Sequence, residues 1–220
     1  MKLTKKHKDF LLICGILSSL LYVVTDLLAS WWYEGYSIIN QNYSELLATG
    51  APTRPIMLLV SIAYNLLLAA FAVGVWKSAS PKRTRYITGT MIVIYATFSM
   101  LGALFFQMDM RGAEMTPLGS LHPSITIVMS LFILLSIGFG AFLLGKRFRI
   151  YSFITIAILL IFGILTSLQA PQLEVGQPTP WMGFTERINI YATMLWFAML
   201  AVNLLRTQKK QDISIRKISS

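Results

Sequence analysis

One cysteine, two histidines and nine acidic residues in a chain of 220 exclude several kinds of chemistry at the outset. Cys14 has no intrachain partner, so disulfides and cysteine-held metal clusters are ruled out. His7 and His122 are too few for a three-histidine metal centre, and no His-Glu-x-x-His segment occurs. No phosphate loop of the form Gly-x-x-x-x-Gly-Lys is expected, which excludes an ATP-driven pump within this chain. Charge itself is scarce: 13% of residues are charged and 55% are hydrophobic, a balance too apolar for a soluble domain.

Long uncharged runs take the place of these groups. Residues 10–25, 55–76, 86–108, 115–145, 150–173 and 188–205 carry no formal charge, and a helix needs about 20 mainly apolar residues to cross the hydrocarbon. The expected fold is all-α: a polytopic membrane protein with a six-helix transmembrane domain over residues 10–205. A basic N-terminal segment, 1–9, and a basic, mobile tail, 206–220, flank it. The first run follows Lys5, Lys6 and Lys8 as a secretory signal would, but it is long and lacks a small-x-small cleavage site before Trp31 and Trp32. It reads as a retained span.

A formal net charge of +10 would suit nucleic acid if it formed one patch on a soluble domain. Here the basic residues alternate with the spans. With the N-terminus inside, all but three of the 19 basic residues fall on the inner side, the exceptions being Arg54, Arg111 and Arg187. The positive-inside rule then puts both termini in the cytoplasm. Nucleic acid is excluded as a partner, and membrane lipids are the expected surroundings. Acidic residues show the reverse bias, with Glu34, Glu45, Asp109, Glu114, Glu174 and Glu186 outside and Asp26 near the outer end of the first span. Any polar site therefore lies on the outer side.

The connection over residues 34–54 is too polar to span. Ser44 as a cap, Leu46-Leu47 and Gly50 predict a short outer helix, and Ile38, Ile39, Leu46 and Leu47 give the segment an apolar side to lay on the bundle mouth. Pro55 suits the first turn of the second span. Residues 169–184, with Pro171, Pro178 and Pro180, read as a restrained loop, and Thr185 as the cap of the sixth helix.

Six outer residues form the candidate polar or ligand-binding cluster: Asp26, Glu45, Asp109, His122, Glu186 and Arg187. Asp26 lies about a turn below the membrane boundary, where a carboxylate must face the bundle and find a partner. Arg187 is the natural one, and its fork of donors would equally suit a ligand carboxylate or phosphate. Tyr22, one turn below Asp26 on the same face, is a second candidate donor. His122 either caps the fourth helix beside Pro123 or works with Asp109, Glu114 or Glu186 in acid/base or zinc chemistry. Tyr64, Asn65 and Ser61 read as interhelical hydrogen-bonding groups, and Ser136, Gly140 and Ala141 as a small-residue packing face.

The segment Tyr36-Ser37-Ile38-Ile39-Asn40-Gln41-Asn42-Tyr43-Ser44-Glu45-Leu46, followed by Gly50-Ala51-Pro52, resembles the bacterial and archaeal six-helix family filed as domain of unknown function 998. Asp109 after the third span, His122 opening the fourth and Gly183-Phe184-Thr185-Glu186-Arg187-Ile188 before the sixth fit the same pattern. Gln107 departs from it, standing where a proline is expected. The resemblance implies a six-span bundle in a bacterial or archaeal plasma membrane, with its marked residues at the outer mouth, and no particular activity.

Two functions compete. One is a non-enzymatic protein that binds or transports a small or lipid-like ligand at the outer polar cluster. The other is a membrane-embedded hydrolase or transferase using His122 and a nearby carboxylate. No triad spacing, paired-carboxylate motif or phosphate loop singles out the enzyme, so binding or transport is the favoured expectation. No motif demands a metal or cofactor, and none is expected.

Overall fold

The computed structural model describes residues 4–78 and 82–218; Lys2 and the centre of the first basic turn, Ser80 included, lie outside the described residues. Seven α-helices follow in order: α1 Lys5–Trp32, α2 Arg54–Trp76, α3 Lys82–Phe105, α4 His122–Gly140, α5 Lys146–Ser167, α6 Ala170–Glu174 and α7 Met182–Ile218. Six of them are long and apolar enough to cross a membrane, as the uncharged runs require. Short 3-10 helices occupy Tyr43–Leu47 and Gly119–Leu121. Among the described residues there is no β-strand, only an isolated bridge between Thr49 and Asp109.

Each spanning helix packs on the next in the chain, and α7 closes the ring by packing on both α5 and α1. All six contribute to one core, which includes Leu12 and Cys14 of α1, Phe71 of α2, Ile92 of α3, Ile137 of α4, Leu159 of α5 and Trp196 of α7. Lipid tails are as apolar as these side chains, so close packing rather than water exclusion must hold the helices together. Small residues make it close. A Cβ on Gly140 would lie 2.6 Å from the Trp196 ring, and one on Gly74 would lie 2.9 Å from the Leu11 backbone. The expected packing face of Ser136, Gly140 and Ala141 is buried in this way. Trp196 settles its indole N–H on Ser152 Oγ at 3.0 Å. In mid-bundle, Tyr64 and Tyr95 bring their hydroxyls to 3.4 Å, and Asn65 donates to its own helix at Ser61 O.

Several local expectations are corrected. The 3-10 helix is capped by Asn42, not Ser44: the Asn42 side chain accepts the Glu45 N–H while the Glu45 carboxylate accepts the Asn42 N–H. This reciprocal pair satisfies two donors, which a cap at Ser44 would leave open. The proline-rich stretch holds the short helix α6, because Pro171 stands in its first turn, where an N–H is not needed. Helix α7 begins at Met182, ahead of Thr185, whose hydroxyl donates to Met182 O inside the first turn. The fourth span ends at Gly140, short of the end of the uncharged run 115–145.

The segment after Arg206 continues α7 as helix as far as Ile218, since Arg, Gln and Lys are good helix formers and neither Gly nor Pro interrupts them. The expected absence of a Gly-x-x-x-x-Gly-Lys segment is corrected too: Gly140-Ala141-Phe142-Leu143-Leu144-Gly145-Lys146 has that spacing, but Arg147 follows where Ser or Thr would ligate magnesium, and a helix precedes it rather than a strand, so it is not a phosphate loop.

Candidate functional site

Residues 33–53 form a cap over one end of the ring, the mouth, where the connections 106–121 and 168–181 also lie. The cap is anchored by apolar contact and by charge. Leu46 and Tyr43 are buried with Ala29 of α1 and Met57 of α2, and Tyr22 stacks on Tyr43 with ring centres 4.6 Å apart. Of the cap's expected apolar side, Leu46 is fully buried while Ile38 and Ile39 stay exposed.

Arg187 is the centre of the polar contacts. Its Nε donates to Asp26 Oδ2 at 3.0 Å and its Nη2 to Asp26 Oδ1 at 2.9 Å, a two-pronged pair between α7 and α1. Nη1 donates to the carbonyls of Ile38 at 2.9 Å and Gln41 at 3.0 Å, and Nη2 also reaches Tyr36 Oη at 2.8 Å. One guanidinium thus joins two spanning helices to the cap. Asp26 is fully buried and accepts four bonds, the other two coming from Ser30 Oγ at 3.2 Å and Tyr191 Oη at 2.6 Å. That fills the capacity of a carboxylate and leaves no site for a ligand. The phenol beside Asp26 is therefore Tyr191, not Tyr22, which faces Tyr43 and Tyr64 instead. Burial pushes the Tyr36 and Tyr43 hydroxyls well above the usual phenol range, and Arg187 only partly offsets this for Tyr36. Tyr36 therefore stays protonated and donates to Asn42 O at 2.7 Å.

The neighbouring residues extend the seam. Glu186 accepts the Tyr43 N–H, and Phe184 N–H donates to Ile39 O at 2.9 Å. Gly183 lets the two backbones meet, since a Cβ there would lie 2.1 Å from Gln41 O. Trp181, just before the helix, has the left-handed φ of 67° and is held by the Asn40 side chain, which accepts its N–H at 3.1 Å.

A second arginine–carboxylate fork stands beside the first. Arg111 donates from Nη2 and Nε to the two oxygens of Glu45, at 2.8 and 3.2 Å, and from Nη1 to Gln177 O at 2.8 Å. It ties the cap to both of the other mouth connections. Thr179 continues the bridge, accepting from Arg111 at 2.9 Å and donating to Asn40 O at 2.8 Å. Arg111 and Thr179 stand outside the six predicted site residues. The scarcity of basic residues at the mouth was the only sequence signal for Arg111, and Thr179 offered none.

Asp109 and His122 have other partners. Asp109 accepts the Thr116 N–H at 2.8 Å and lies so close to Gly119 that a Cβ there would be 2.0 Å from its Oδ2. His122 Nδ1 is 2.8 Å from Phe106 O. A carbonyl only accepts, so Nδ1 carries the proton and Nε2 of the neutral ring is left as an acceptor. Gln107, the departure from the expected proline, accepts from Arg54 Nε at 2.8 Å, a bond that ties the first residue of α2 to the connection after α3. Asp109, His122, Arg111 and Asn42 line a pocket of about 110 Å³, whose walls include Met108, Met110, Met115 and Leu173. The six predicted residues thus fall into two groups: Asp26, Glu45, Glu186 and Arg187 bind the cap, and Asp109 and His122 border a pocket. Among the described residues, no three His, Cys, Asp or Glu side chains gather to hold a metal ion.

A family described as protein of unknown function, DUF998, matches residues 16–203. The chain belongs to the DUF998 family. No curated protein and no solved structure matches it. For this DUF998 member, the quoted motifs acquire physical meanings. Gly183 to Arg187 is the strip of α7 on which residues 36–46 lie, and the Asn42-x-x-Glu45 pair shapes the cap that Arg111 and Arg187 hold down.

Proposed function

We propose that this multi-pass DUF998 protein binds or transports a small or lipid-like ligand at the mouth pocket bordered by Asp109, Arg111 and His122. The observation that carries the reading is the pocket's lining, a few polar groups among methionines and Leu173, the usual make-up of a site for an amphipathic molecule. At about 110 Å³ it is smaller than the roughly 300–1,000 Å³ of drug-sized sites, so it suits a headgroup or the end of a chain. Asp26 and Arg187 are the structural frame of this site, because their bonding capacity is already used.

Native mass spectrometry of protein extracted with its own lipids tests the reading. Ala113→Trp, at an exposed wall position, fills the pocket without touching the core. It is expected to lower the retained adduct about tenfold while folding normally. Equal adduct in both proteins would remove the site.

The arrangement of basic residues supports an orientation with both termini cytoplasmic, in a bacterial or archaeal plasma membrane, and the mouth outside. Cys14 is buried, so labelling background is low. Arg147→Cys, exposed at the opposite end, is expected to resist an impermeant thiol reagent on intact cells and react after permeabilisation. Reaction on intact cells would reverse the orientation.

The acceptor Nε2 of His122 favours a second reading, a hydrolase or transferase in which His122 acts as general base beside Asp109. Hydrolysis of a lipid or peptide substrate by the wild type that is lost in His122→Gln, with ligand retention intact, would select it.

A further inference from the structure

At the opposite end of the ring the structure contains a larger cavity, about 310 Å³, lined by Lys5 and Lys8 of α1, Lys77 and Ser78 at the end of α2, Arg85 of α3, and Gln208 and Gln211 of α7. Four of these side chains are cations, and among the described residues none of the lining side chains is acidic. The unbroken helix after Arg206 supplies the two glutamines, so the wall exists because this segment is helical.

Three buried polar atoms here have no hydrogen-bond partner: Ser78 Oγ, Arg85 Nε and Gln208 Oε1. Ser78 is only 1% exposed. Arg85 is meanwhile fixed in place, because its Nη1 donates to Ser78 O and its guanidinium lies over the Tyr86 ring at 5.5 Å. Orphaned buried polar atoms are rare in folded proteins because each costs about 1–3 kcal/mol. The two donors among them, Ser78 Oγ and Arg85 Nε, clustered with several cations around a cavity, mark a place prepared for an anion.

We infer that this basic-end cavity binds a phosphate group, carried by an anionic phospholipid headgroup or by a soluble phosphate. The guanidinium presents its Nε donor to a phosphate oxygen, Ser78 Oγ donates beside it, and Lys8 and Lys77 neutralise the charge. A hydroxyl on the phosphate's substituent satisfies Gln208 Oε1. Basic pockets between spanning helices at the membrane surface take phosphorylated headgroups in this manner, and the residues lie at the ends of the apolar runs. The inference is independent of the mouth pocket.

The test uses the full-length protein in phosphatidylcholine nanodiscs with or without phosphatidylglycerol, and separately with millimolar inorganic phosphate. Thermal stability and native mass spectrometry report binding. Wild type is expected to retain phosphatidylglycerol over phosphatidylcholine. Lys8→Gln should weaken this about fivefold and Arg85→Gln about tenfold, while Lys146→Gln, basic but outside the cavity, stays within about twofold. Should Arg85→Gln fail to fold, Lys8→Gln carries the comparison. Stabilisation by inorganic phosphate that these variants lose identifies a soluble anion, and its absence beside phosphatidylglycerol retention identifies the lipid. Equal weakening in Lys146→Gln and Lys8→Gln would reduce the effect to general surface charge and overturn the site, as would no binding in either arm.

Discussion

Arg187→Met is expected to destabilise the protein by about 3–5 kcal/mol, since it leaves the Asp26 carboxylate buried without its partner. The loss extends beyond one ion pair. The carbonyls of Ile38 and Gln41 and the Tyr36 hydroxyl lose the same donor, so the cap should loosen with the helices. On the scale of soluble domains, where about 1 kcal/mol shifts the melting temperature by roughly 2–4 °C, the fall is on the order of 10 °C. Asp26→Leu combined with Arg187→Met removes both charges together and should recover part of the loss, because an apolar pair carries no unpaired buried charge. A double variant as unstable as the sum of the singles would show that the two residues act separately.

The second large effect is expected from a single methyl group. In Gly183→Ala the new Cβ would lie 2.1 Å from Gln41 O and 2.6 Å from Ile38 O, backbone atoms that cannot swing aside as a flexible side chain can. These carbonyls are also the ones Arg187 holds. Either the cap lifts or α7 shifts, and both break the bonds to Nη1 and the Phe184–Ile39 contact. Overpacking of this kind costs about 1–3 kcal/mol. The expected readout is faster hydrogen exchange confined to residues 36–48, with the spanning helices little changed. Unchanged exchange there would show that the cap does not rest on Gly183.

These two residues also show what could be read from the sequence and what could not. The six spans were legible because a bilayer imposes one length and one composition on every crossing. The Asp26–Arg187 pair was legible for a related reason: a carboxylate below the membrane boundary needs a cation, and the mouth has only Arg54, Arg111 and Arg187 to offer. Which phenol joins Asp26 was not legible, since Tyr22 and Tyr191 differ only in how α1 and α7 are rotated in the ring. The Glu45–Arg111 fork was hidden because its partners are 66 residues apart on irregular loops, without a periodicity to align them. Prolines concealed α6, and a dense run of charge concealed the extension of α7, although both segments are compatible with helix once Pro171 stands in the first turn. The motif around Gly183 was recognised, but its purpose, close approach of two backbones, depended on the path of the cap.

The central claim is that residues 33–53 form a cap fastened to the bundle by Arg187 and Arg111. Hydrogen–deuterium exchange on the wild type in lipid nanodiscs addresses it most directly. The N–H groups of Phe184 and Tyr43, each bonded across the seam, are expected to exchange at least about 100-fold more slowly than free peptide, a protection that reflects opening by cooperative release of the cap. Exchange of both at the rate of an unstructured chain would contradict the account.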